Sequence, residues 1–114
     1  MDNKSLKRLN DIVEAIALIK LFVENQSLQE FKHDIKTQKA ILYQFIIIGE
    51  AVKNIDQDIL NQYEYPWHVP KSFRNFIAHE YHNIRIDRIY NAIHDLDGLT
   101  MAIKQIINES KSIR

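Results

Sequence analysis

Apolar residues recur along most of this chain at three- and four-residue steps, the period of an α-helix with one buried face. Leu6, Leu9, Ile12, Val13, Ile16, Ile19, Phe22 and Val23 mark a first helix over residues 5–24, and Asn25-Gln26 stops it. Ser27-Leu28-Gln29-Glu30 has the form of a capping box and opens a short helical turn. Asp34 offers the N-cap of a long helix over residues 35–55. That helix carries Ala40, Ile41, Tyr43, Phe45, Ile47, Ile48, Ala51, Val52 and Ile55, apolar on more than one side. A helix of this kind is buried, either at the centre of a bundle or against a second copy of the chain. Asp56 caps a short helix through Tyr63, and Glu64-Tyr65-Pro66-Trp67-His68-Val69-Pro70 reads as a loop. Pro70 suits the first turn of a helix over residues 71–81. Asp87 caps the last helix, whose stripe is Ile89, Ile93, Leu96, Ile103 and Ile106 or Ile107. Gly98 in its interior marks a bend or a close contact, and the tail from Glu109 to Arg114 is expected to fray. The pattern predicts an all-α, up-and-down bundle of four to five helices in a single domain over residues 1–114.

Composition narrows the classes of function. A chain of 114 residues supports one modest core. Fifteen Lys and Arg balance fifteen Asp and Glu, so any polyanion must be held by a local patch rather than by a global field. With no cysteine there is no disulfide framework, thiolate chemistry or cysteine-type zinc site. The apolar run Phe45-Ile46-Ile47-Ile48 is far too short to span a membrane. The N-terminus carries Asp2, Lys4, Lys7 and Arg8 where a secretory signal would be apolar, so the expected location is the cytoplasm. There is no glycine-rich phosphate loop, and no cofactor is expected.

The chemistry is concentrated in Arg74-Asn75-Phe76-Ile77-Ala78-His79-Glu80-Tyr81. At about 100° per residue with Arg74 at zero, Tyr81 falls near −20°, Ala78 near 40°, Asn75 near 100° and His79 near 140°. Phe73, Phe76 and Ile77 gather on the other side, at roughly 200–300°. Glu80 falls among them, which suggests that the helix bends or frays near His79. An imidazole titrates near neutral pH, so His79 is the candidate proton-transfer group; otherwise it is a surface or helix-capping histidine. Asn75, four residues earlier, can hydrogen-bond the ring and fix its tautomer. Arg74 is a candidate phosphate clamp, or else an ordinary ion-pair partner. Glu50, a carboxylate in an apolar helix, needs a partner, and Arg74 is the natural one; that role is structural rather than catalytic. His79 and His82 stand three residues apart, where the zinc-protease pattern needs four, so no metal site is expected.

Three blocks, Ile46-Ile47-Ile48-Gly49-Glu50-Ala51, Tyr65-Pro66-Trp67 and Arg74 to Tyr81, resemble in order and spacing the HepT-like ribonuclease toxins of the HEPN class. Ser72-Phe73 departs from that pattern, where the family often has Gly and an aliphatic residue. The resemblance implies a metal-independent endoribonuclease acting as a homodimer on RNA, with Arg74, His79 and Asn75 at the reaction centre. It further implies a small nucleotidyltransferase antitoxin that adenylylates Tyr81. A different reading is a non-catalytic helical module that serves a nucleotidyltransferase as scaffold or substrate, and the zero net charge favours it.

Overall fold

The structure is a computed structural model, describing residues 1–112. Its helices are α1 (Asn3–Val23), α2 (Leu28–Lys32), α3 (Ile35–Lys53), α4 (Gln57–Leu60), α5 (His68–Glu80), α6 (Ile86–His94) and α7 (Leu96–Ser112). The four long elements α1, α3, α5 and α7 form the expected up-and-down bundle, and the rest are short connectors. Side-chain contacts at the helix ends fix the directions. Ser5 of α1 accepts from the Asp56 N–H just beyond α3, and Lys20 late in α1 pairs with Asp97 at the start of α7. Phe45 of α3 meets Phe73 of α5 edge to face at 4.9 Å. The α1–α3 and α3–α5 contacts are the most extensive, which makes α3 the central element.

Local chemistry places the helix starts. Asn25, at φ 60°, turns the chain after α1. Ser27 and Glu30 then form a complete capping box, with backbone-to-side-chain bonds of 3.0 and 3.1 Å. The Asp34 carboxylate accepts from the Thr37 N–H at 3.0 Å, the Thr37 hydroxyl at 2.7 Å and the Gln26 amide at 2.8 Å. Those bonds, with Thr37's the strongest influence, hold its pKa below the ordinary carboxylate value. The core is one contiguous cluster. It runs from Leu9, Ile12 and Ile19 through Ile41, Ile48 and Val52 to Ile77, Ile89, Ile103 and Ile106.

Four expectations about the elements are corrected. Helix α5 starts at His68, not at 71, because the indole N–H of buried Trp67 donates to the Leu60 carbonyl at 3.0 Å and pins the chain for an earlier start. Pro70 still falls in the first turn, where its missing N–H costs nothing. The last helix is two helices broken at Asp95 and not bent at Gly98, since α6 packs on α2 while α7 packs on α1. Arg85, not Asp87, holds the N-cap position of α6, and the Asp87 carboxylate instead takes two bonds from the Arg85 guanidinium at 3.2 and 2.8 Å. Residues 109–112 continue α7 rather than fraying, while Ile113 and Arg114 lie outside the described residues.

Candidate active site

Helix α5 can lie close against α3 because Gly49 has no side chain. A Cβ there would overlap the Cβ of Arg74 and come within 2.8 Å of the Pro70 carbonyl oxygen. This close approach sets Arg74 beside Glu50, one residue further along α3. The Arg74 Nε lies 2.7 Å from the Glu50 Oε1. That nitrogen is buried and makes no well-directed hydrogen bond, so the contact is charge attraction at short range more than a directional bond. Both side chains keep about a third of their surface exposed, at 34% and 38%. Glu50 is therefore at the margin of the core and not sunk in it, but its partner is the expected one.

The guanidinium also donates through Nη1 to the Asn75 Oδ1 at 3.1 Å. Asn75 thus braces Arg74, and not the His79 ring that its i, i+4 spacing suggested. His79 stands exposed in the last turn of α5 and makes no hydrogen bond among the described residues. Five residues separate it from Arg74, about 7.5 Å of rise and about 140° of rotation. Within one chain the two side chains reach solvent but do not share a pocket. Glu80 does not disturb the packing, because α5 ends there, with Tyr81 at the C-cap position. Tyr81 is half exposed, its ring against that of His82 at 3.9 Å between centroids. Among the described residues its hydroxyl has no hydrogen-bond partner, so it stays open to solvent.

The positive segment around α5 is thinner than its sequence suggests. Glu50 neutralises Arg74 and Asp87 neutralises Arg85, which leaves Lys71 and Arg88 without a carboxylate partner among the described residues. A cleft of about 590 Å³ opens between α5 and the α6–α7 pair, and neither Arg74 nor His79 lines it. Among the described residues no group of three or more His, Cys, Asp or Glu is placed to hold a metal ion. Nor is any helix among them long and apolar enough to cross a membrane.

The model of the ribonuclease HepT-like family matches residues 12–106, a span that holds Gly49-Glu50, the Trp67 anchor and the whole of α5. This chain belongs to the HepT-like ribonuclease family. A candidate RNase of Methanocaldococcus jannaschii is 33% identical over 110 residues, covering 91% of each chain. A candidate ribonuclease HepT of Thermococcus cleftensis is 35% identical over 86 residues, 75% of this chain and 78% of the relative. A candidate RNase of Caldanaerobacter subterraneus is 28% identical over 91 residues, 78% of this chain and 81% of the relative. No solved structure shows a significant match.

Sequence reasoning placed Gly49 and Trp67 in blocks that resemble this family but gave neither a positioning role. An isolated glycine within an apolar helix was the further signal for Gly49, since such a glycine often has a packing reason. For Trp67 the signal stopped at the resemblance, because its indole partners are the backbone carbonyls of Leu60, at the end of α4, and Tyr63, which spacing does not reveal.

Proposed function

We propose that this protein is a metal-independent endoribonuclease in which Arg74 and His79 act on one phosphodiester at the cleft of a homodimer. The observation that supports this best is the arrangement on α5. Arg74 is braced by Glu50 and Asn75 with part of its guanidinium open, and an unengaged imidazole lies five positions further along the same helix, about 140° around it and also open to solvent. His79 takes the proton of a ribose 2′-OH, and the oxygen attacks the adjacent phosphorus. The P–O5′ bond breaks, and the leaving oxygen takes a proton from an imidazolium. The products are a 2′,3′-cyclic phosphate and a free 5′-hydroxyl. Arg74 stabilises the charge on the pentacoordinate phosphorus through its remaining N–H groups.

One histidine per chain is short of the acid and base that this chemistry uses, and a second chain supplies the other. The face for such pairing runs along the open side of α3. Tyr43 is 62% exposed there, with partly buried Ile46 and Ile47 beside it, and on α5 Ala78 and Tyr81 are exposed as well. A toxin of this kind needs restraint. Tyr81 offers it, with an accessible hydroxyl that a partner nucleotidyltransferase would join to AMP from ATP, releasing pyrophosphate. The added charge and bulk would repel RNA from the Arg74 surface.

The test uses purified protein, total RNA and EDTA. Cleavage that continues in EDTA and is lost in His79→Ala is the expected result. Cleavage abolished by EDTA, or unchanged in His79→Ala, contradicts the mechanism. Co-expression with a nucleotidyltransferase should add one or more AMP masses to the wild-type chain and none to Tyr81→Phe.

A further inference from the structure

The cleft between α5 and the α6–α7 pair lies apart from Arg74, yet it borders the histidine surface. Phe76 lines it and sits one helical turn before His79, an i, i+3 pair whose side chains are neighbours on the helix. The cleft's volume, about 590 Å³, fits a small-molecule site. Its floor is aromatic and aliphatic, with Phe45 and Phe73 packed edge to face and Phe76 stacked on Phe73 at 6.2 Å. Over the Phe76 ring lies the Arg88 guanidinium, 4.1 Å from the centroid. Arg88 is exposed and has no carboxylate partner among the described residues, so its outer face can take a further flat group.

The rim decides what kind of group that is. Arg85 is already held by Asp87, and Asp95 also borders the space. With positive and negative charges balanced, the interior suits a neutral, flat, polar-edged ligand better than a phosphate. Asn91 and Asp95 offer acceptors to amino groups on its edge. Arginine planes and aromatic rings are the usual platforms for unstacked bases of single-stranded RNA. We infer that this cleft is a nucleobase subsite, which takes one splayed base next to the phosphodiester at His79 and sets where a single strand is cut. The inference rests on the nuclease reading for its position along the strand, though binding tests it separately.

The probe is a fluorescent, single-stranded 2′-O-methyl RNA of about ten nucleotides, which lacks the attacking hydroxyl, together with a set carrying one abasic residue at each position in turn. Wild-type protein should bind the parent at least tenfold more tightly than one abasic member of the set. Ser72→Leu, a bulky non-aromatic change at an exposed position on the cleft wall, should remove that difference while binding the abasic RNA as wild type does. Arg88→Ala should weaken the parent more than the abasic RNA. An abasic series that binds uniformly, or a Ser72→Leu chain that still discriminates, overturns the subsite and leaves the cleft to another class of partner, such as a protein. The 2′-hydroxyl version, cleaved in EDTA, separates the two failures. Cleavage with a uniform abasic series sinks the subsite alone. Base-dependent binding without cleavage sinks the nuclease mechanism alone.

Discussion

At the scale of single residues, His79 and Arg74 differ in how they are held, and that makes their roles separable. His79 is exposed and unbonded, so His79→Ala should leave the stability within about 0.5 kcal/mol of wild type. Cleavage should nevertheless fall by about 10²–10⁴-fold, the usual contribution of a general acid or base. Differential scanning and a cleavage assay on the same sample check both halves. Glu50 acts through Arg74. The pair is a third exposed, so the Glu50→Gln change should alter stability by less than about 1 kcal/mol. Its effect on cleavage should be about tenfold, below the hundredfold that a 1 Å misplacement can cost. An equal loss in kcat and kcat/KM is expected, and a change in KM alone would point to substrate binding instead. The Arg74–Glu50 pairing was legible in the chain, since a carboxylate in an apolar helix demands a cation. The Asn75 bond was not, because i, i+4 spacing permits a contact with His79 but cannot compete with an adjacent guanidinium.

At the scale of elements, the two glycines make a matched pair. Glycine within a helix costs roughly 0.5–1 kcal/mol relative to alanine, so a replacement should stabilise wherever there is room. At Gly98 the nearest atom to a new Cβ is the Tyr65 Cε2 at 3.9 Å, ordinary contact, and Gly98→Ala should gain about that amount. At Gly49 the Cβ would collide with Arg74 and the Pro70 carbonyl, both on the helix it packs against. Gly49→Ala should cost about 1–3 kcal/mol and displace α5, lowering activity as well. Chemical denaturation of the two variants decides this, and opposite signs are expected. Helix caps set the acid limb of stability. The folded Asp34 carboxyl has a lowered pKa, so its contribution is complete above the unfolded value near 3.8 and is lost as pH falls through the folded one. Asp34→Asn should therefore flatten the fall in thermal midpoint below about pH 4. Periodicity and caps made most helices readable. The break at Asp95 was hidden, because the apolar stripe continues through Ile93 and Leu96 while its packing partner changes from α2 to α1.

At the scale of the whole molecule, the bundle was readable from its pattern, but the arrangement of the active groups was not. Rotation along an ideal helix gives the angle between Arg74 and His79. It does not tell that Arg74 turns toward α3 while the cleft lined by Phe73 and Phe76 opens on the other flank of α5. The proposed pairing of two chains resolves this by bringing the Arg74 and His79 of both copies to one cleft. Mixing tests that directly. Wild-type and His79→Ala proteins are unfolded together in varying ratio, refolded together and assayed on RNA in EDTA. If one centre needs the histidines of both chains, mixed dimers are inert and cleavage should fall as the square of the wild-type fraction. Cleavage that falls in simple proportion to the wild-type fraction would contradict the shared site.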